Sequence, residues 1–129
     1  MKIIKFILIG ILTISVSCTE DEIESLGRTD CDVEFTNRLN DLEDAFQDRL
    51  GLPDSEGNQQ SLENCLRKRE LTYSYILDIE NISIALDNAE GCSADEKNEF
   101  RERMGNRTAL LLMDIRDVWS HCEEIYGGG

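Results

Sequence analysis

The residues best suited to chemistry lie near the C-terminal end of the chain. His121 is the single histidine, with Asp114 and Asp117 seven and four residues before it and Glu124 three after. On a helix that spacing sets three carboxylates and an imidazole along one flank, where ligands on successive turns converge on a metal. A chain with 27 acids in 129 residues produces such spacings on any solvated acidic face, so no metal site is expected. No nucleophile pairs with His121, because its neighbour Cys122 projects from an apolar stripe. Acid–base work by two carboxylates needs a sheltered pocket that separates their pKa values, and a slim helical domain offers none. The expectation is a protein that is not an enzyme, with no catalytic residue, no cofactor and no metal.

Five cysteines form the other reactive set, and the first belongs to an address. Lys2 and Lys5 make a short basic start, Phe6 to Ile14 an apolar core, and Ser15-Val16-Ser17 a run of small residues before Cys18. This is the three-part layout of a secretory signal. The apolar run from Ile3 to Val16 is about 14 residues, short of the ~20 that span a bilayer, so the segment is expected to be removed rather than to anchor the protein. Ser15-Val16-Ser17-Cys18 resembles the lipobox of bacterial lipoproteins, with Ser15 where the family favours leucine and Ile14 one place earlier. The resemblance covers residues 1–24. It implies cleavage before Cys18 and acylation of that cysteine as the first residue of the mature protein, which is then held in a membrane of the cell envelope. Each buried methylene of such chains contributes ~0.8 kcal/mol. Thr19 is not the aspartate of an inner-membrane retention signal. Glu20-Asp21-Glu22 resembles the acidic surface-export tag of some Gram-negative lineages, which implies the outer membrane and its outer face; the same acids also read as a solvated tether.

Behind these residues stand the elements that must position them. Residues 1–17 read as signal, 18–30 as a lipidated acidic tether, 31–126 as the folded domain and 127–129 as a flexible tail. A first helix is expected from Cys31 to Leu50, capped by Thr29 or Asp30. In it Phe35, Leu39, Leu42, Phe46 and Leu50 recur on one face. Gly51 and Pro53 end that helix. A second runs from Ser61 to Glu90, with Leu62, Cys65, Leu66, Tyr73, Ile76, Leu77, Ile79, Ile82 and Leu86 spread over a face wide enough for two neighbours and a kink allowed at Asn81 and Ser83. The third opens on the capping box Ser93-Ala94-Asp95-Glu96. It carries a stripe of Phe100, Met104, Leu111, Ile115, Val118, Cys122 and Ile125 as far as Tyr126. Short connections make the expected fold all-α, an antiparallel up-down-up three-helix bundle.

With Cys18 acylated, Cys31, Cys65, Cys92 and Cys122 remain, an even set in an exported chain. Zinc is the rival, but its close C-x-x-C pairs are missing. Cys92 and Cys122 lie at opposite ends of the third helix, roughly 45 Å apart, and Cys65 is about 40 Å from Cys92 along the second. A disulfide needs α-carbons within about 7 Å. The bundle therefore pairs Cys31 with Cys92 and Cys65 with Cys122.

The formal charge of −14 repels nucleic-acid phosphates and anionic headgroups. Loss of the signal removes two lysines and no acid, which deepens that charge. Leu110 and Met113 belong to a segment, Ala109 to Met113, that is apolar all round the helix, and they are the candidate partner contact. Arg69 is expected to pair with Asp44 or Asp48 of the first helix. The functional expectation is a membrane-anchored, surface-exposed lipoprotein acting as a non-enzymatic protein-interaction module. Two alternatives stand beside it: an inhibitor or immunity protein that neutralises a basic enzyme through opposite charge, and a structural subunit of an envelope complex.

Overall fold

The computed structural model describes residues 30–128. The signal (1–17), the lipidation site Cys18, the tether as far as residue 29 with its Thr29 cap, and Gly129 lie outside the described residues. Three long helices follow one another: α1 (Cys31–Leu50), α2 (Leu62–Asp87) and α3 (Ala94–Asp117). A 3-10 turn, Trp119–His121, and a short helix α4 (Cys122–Tyr126) complete the chain. The fold is a small all-α bundle, with no strand among the described residues.

Each helix begins and ends for a local reason. Ser61 caps α2 by accepting from the Asn64 N–H at 3.1 Å, one of the donors a helix start leaves unpaired. Asp54, in the loop before it, accepts the Ser61 hydroxyl and the N–H groups of Glu56 and Asn58. Arg67 reaches back from α2 to the carbonyls of Arg49 and Leu52, at the C-terminal end of α1. The loop is thus pinned at both ends. The Asn88 side chain donates to the Ile84 carbonyl and α2 stops at Asp87, three residues short of the expected Glu90. No interruption falls at Asn81 or Ser83. The capping box opens α3 as expected, with the Ser93 hydroxyl and the Glu96 carboxylate each satisfying the other's backbone N–H at 3.1 and 3.0 Å.

One expectation fails at the far end. The third helix does not run unbroken to Tyr126 but breaks after Asp117. Ser120 donates to the Arg116 carbonyl, a back-bond that competes with the helical ladder and bends it. Past the break, Val118 and Ile125 are exposed rather than continuing the buried stripe, while Cys122 stays fully buried. Trp119 lies under the Lys68 ammonium.

The core is built around α2, which packs on both α1 and α3. Phe46 stacks on Tyr75 with ring centroids 4.3 Å apart, and Phe35 meets Phe100 at 5.9 Å. Ile79, Leu86, Met104 and Leu111 close the space between them. All five residues of the α1 stripe turn inward. On α2 the expected face proves narrower, because Tyr73 and Leu77 are exposed: they lie on the side that neither α1 nor α3 covers.

Both disulfides form as the helix lengths require. Cys31 joins Cys92 with α-carbons 5.1 Å apart, and Cys65 joins Cys122 at 5.6 Å. One staples α1 to the start of α3; the other staples the start of α2 to α4. Each links residues about sixty apart, a loop worth ~4 kcal/mol if the stabilisation is conformational entropy of the unfolded chain. Replacing Cys65 and Cys122 by serine should lower the unfolding free energy in urea by about that amount. An unchanged unfolding midpoint would show that the cystine contributes nothing to the fold.

Candidate functional site

The His121 cluster does not assemble. The break after Asp117 takes His121 off the helical register that aligned it with Asp114 and Asp117. The hydrogen-bond partner of His121 among the described residues is Glu124, at 3.0 Å on an open surface. Asp117 turns instead to Arg116, whose guanidinium holds its carboxyl below the usual range. Among the described residues no group of three or more histidines, cysteines and acids could hold a metal. Cys122 is in a disulfide.

Arg69 pairs neither with Asp44 nor with Asp48; its partner is Glu123 of α4, at 3.4 Å. Seven residues before Ile76, it shares that residue's side of α2, which faces α3 and away from α1. The Cys65–Cys122 bond brings α4 to the same end.

Two open grooves flank α3. The first, of about 510 Å³, lies between α1 and α3 over a floor of Tyr75 and Ile79. Glu43 of α1 crosses it and takes the Arg107 guanidinium of α3 through both oxygens, at 2.8 and 3.1 Å. The same carboxylate accepts the Tyr75 hydroxyl, and Gln47 donates to it at 3.0 Å. Burial works against the charge on Glu43, but the bonds from Tyr75, Gln47 and Arg107 outweigh it and its pKa falls. Burial first, then the bond to Glu43, pushes the Tyr75 phenol up to about 12. Every member of the network is thus used inside the fold. It ties α1 to α3 across the central helix, and the groove's remaining lining mixes apolar Leu39, Ile79, Met104 and Leu110 with polar Asn40, Arg103 and Asn106.

The second groove, of about 450 Å³, runs between α2 and α3 on the side away from α1. Ile76, Glu80 and Ser83 form one wall; Gly105, Thr108, Ala109 and Leu112 form the other. Elsewhere on α2, Tyr73, Leu77 and Ile84 are each about half-exposed. The two residues singled out from the sequence, Leu110 and Met113, are 54% and 48% exposed, but they do not make one patch by themselves. Leu110 lines the α1–α3 groove, Leu112 (50% exposed) lines the α2–α3 groove, and Met113 lines neither. Leu110, Leu112 and Met113 thus form an exposed apolar band on α3, and Tyr73, Leu77 and Ile84 a second exposed set on α2. No protein-family model matches the chain, and neither do any of the curated proteins or solved structures searched.

Sequence reasoning found the α3 band because Ala109 to Met113 is apolar at every position. It missed the α2 part, because Tyr73, Leu77 and Ile84 look like core until the neighbours of α2 are known.

The Glu43 network makes a pH prediction. A carboxylate whose pKa is lowered by folding contributes stability above its unfolded value and loses it as pH falls through the folded one. Glu43 and Asp54 are both lowered, Asp54 chiefly by the Ser61 hydroxyl. Stability to heat should therefore fall below about pH 4.5, near the ordinary Glu range. Glu43→Gln should cost about 1 kcal/mol or less at pH 7, since the pair is partly solvated, and should reduce the acid slope. Parallel stability–pH curves for the two proteins would show that Glu43 carries none of it.

Proposed function

We propose that the chain is a lipid-anchored lipoprotein of the bacterial envelope whose folded domain is a non-enzymatic module for binding another protein. The signal-like start and Cys18 support the address. The two disulfides suit an oxidising compartment, since such bonds are rare in the cytosol. No described helix is long and apolar enough to cross a membrane, and attachment in this reading is through acyl chains on Cys18. One observation carries the binding role: the apolar band of α3 and the α2 stripe stand exposed on a frame cross-linked at both ends. Single apolar residues on a surface are ordinary, whereas Leu110, Leu112 and Met113 stand about half-exposed within four residues of one helix, and apolar sets of that kind mark protein contacts.

A second reading, inhibition of a basic enzyme, draws on a different feature. Asp41, Asp44 and Asp48 recur at helical spacing along α1 and make no ion pair among the described residues. A contact made through them would be fast and sensitive to salt.

A pull-down from envelope fractions with the lipid-free domain separates the two. If the apolar band makes the contact, a captured partner survives high salt and Met113→Glu weakens it about tenfold or more, a loss of 1.4 kcal/mol. Capture that vanishes with salt and ignores Met113→Glu supports the inhibitor reading and overturns this one.

A further inference from the structure

We infer that the α2–α3 groove is the seat of a single partner helix, amphipathic and basic along its flanks; this rests on the protein-binding role proposed above and names the surface and the kind of partner. Three features converge there. The first is Gly105, in the middle of α3. Glycine in a helix interior weakens the helix, and inside the protein nothing requires it: a Cβ built there meets no atom within 4 Å. A helix keeps an exposed glycine usefully where another backbone approaches closely. Ala109, one turn on, and Ser83 across the groove are also small, so a helix laid between α2 and α3 can approach to the short end of the usual 8–10 Å axial spacing.

The second feature is the apolar rim. Ile76 on α2 and Ala109 and Leu112 on α3 border the groove over a floor of Ile79 and Met104. From Arg101 to Leu112 the α3 wall is about 16 Å long at the helical rise, three turns of a partner helix. Anchors at i, i+3, i+4 and i+7 fill such a slot.

Charge selects the occupant. Two charged side chains line the groove, Glu80 and Arg101. Arg101 is taken by Asp87, at 2.5 and 3.1 Å. Glu80 makes no ion pair among the described residues. The groove therefore presents a carboxylate on a chain of charge −14. A second copy would bring an equal negative charge to this face, whereas a helix with lysine or arginine beside its apolar stripe is drawn to it.

Gly105→Leu tests the site with the fold left standing, because the added side chain has open space and the helix gains a better former. The probe is an 18-residue labelled peptide of leucine and lysine patterned as an amphipathic helix. Its controls are the same composition scrambled and a leucine–glutamate version of the same pattern. Anisotropy should show the patterned lysine peptide bound at least tenfold tighter than either control. Gly105→Leu should weaken it about tenfold at unchanged Tm, and Glu80→Lys should weaken it severalfold. Three results overturn the inference: no binding of the patterned peptide, equal binding of the glutamate version, or no effect of Gly105→Leu. A dimer of the wild type that Gly105→Leu dissociates also overturns it, by giving the groove to a second copy. A partner captured from the envelope through Met113 but indifferent to Gly105→Leu would leave the binding role standing and remove only this groove from it.

Discussion

Two cystines at opposite ends of α3 constrain the rest of the molecule. Cys31–Cys92 and Cys65–Cys122 tie α3 to α1 at one end and α2 to the turn beyond α3 at the other. A bundle of about a hundred residues buries little surface relative to its size, and this one leaves Tyr73, Leu77, Ile84 and the α3 band outside its core. Cross-links that restrict the unfolded chain compensate for apolar area left in water. The frame can then expose side chains that a bundle held by packing alone would need inside.

Within that frame α2 is the shared neighbour. α1 and α3 meet chiefly through α2, and their direct links are the Phe35–Phe100 contact, the Cys31–Cys92 bond and the Glu43–Arg107 pair. This arrangement explains why both sides of α3 carry a groove. One is spanned by Glu43 and Arg107 and serves the fold. The other has small and apolar walls over the core residues Ile79 and Met104. The electrostatics follow the same division. Several of the chain's acids are matched by arginines, Asp87 by Arg101, Glu123 by Arg69, Glu34 by Arg38 and Glu43 by Arg107; Asp41, Asp44 and Asp48 of α1 are exposed and make no ion pair among the described residues.

Much of the architecture was legible because helices impose long, rigid distances. The Phe35-to-Leu50 stripe marked α1 and its buried face, and Ser93 with Glu96 marked the start of α3. Once the third helix separated Cys92 from Cys122 and the second separated Cys65 from Cys92, only one pairing remained. What stayed hidden depends on which neighbour covers which face, and periodicity is silent on that. Arg69 lies on the apolar side of α2 but on its α3 edge, so it meets Glu123 instead of an acid of α1. Tyr73 and Leu77 carry the same pattern as Ile79 yet stand in water. The break after Asp117 is accompanied by a back-bond of Ser120, and Arg67 closes the end of α1 from 15 to 18 residues away. Gly105 gives no signal in the sequence at all; its emptiness is a property of the assembled groove.

The account holds together only if the polypeptide leaves the reducing cytosol, because there the two cystines form and the first of the five cysteines can acquire fatty acids. Intact-mass and non-reducing peptide analysis of the protein taken from its native membrane fraction tests that directly. The account predicts a chain that begins at Cys18, carries acyl groups there, and has Cys31 bonded to Cys92 and Cys65 to Cys122. A full-length, unacylated species recovered from the cytosol with every thiol free would contradict it.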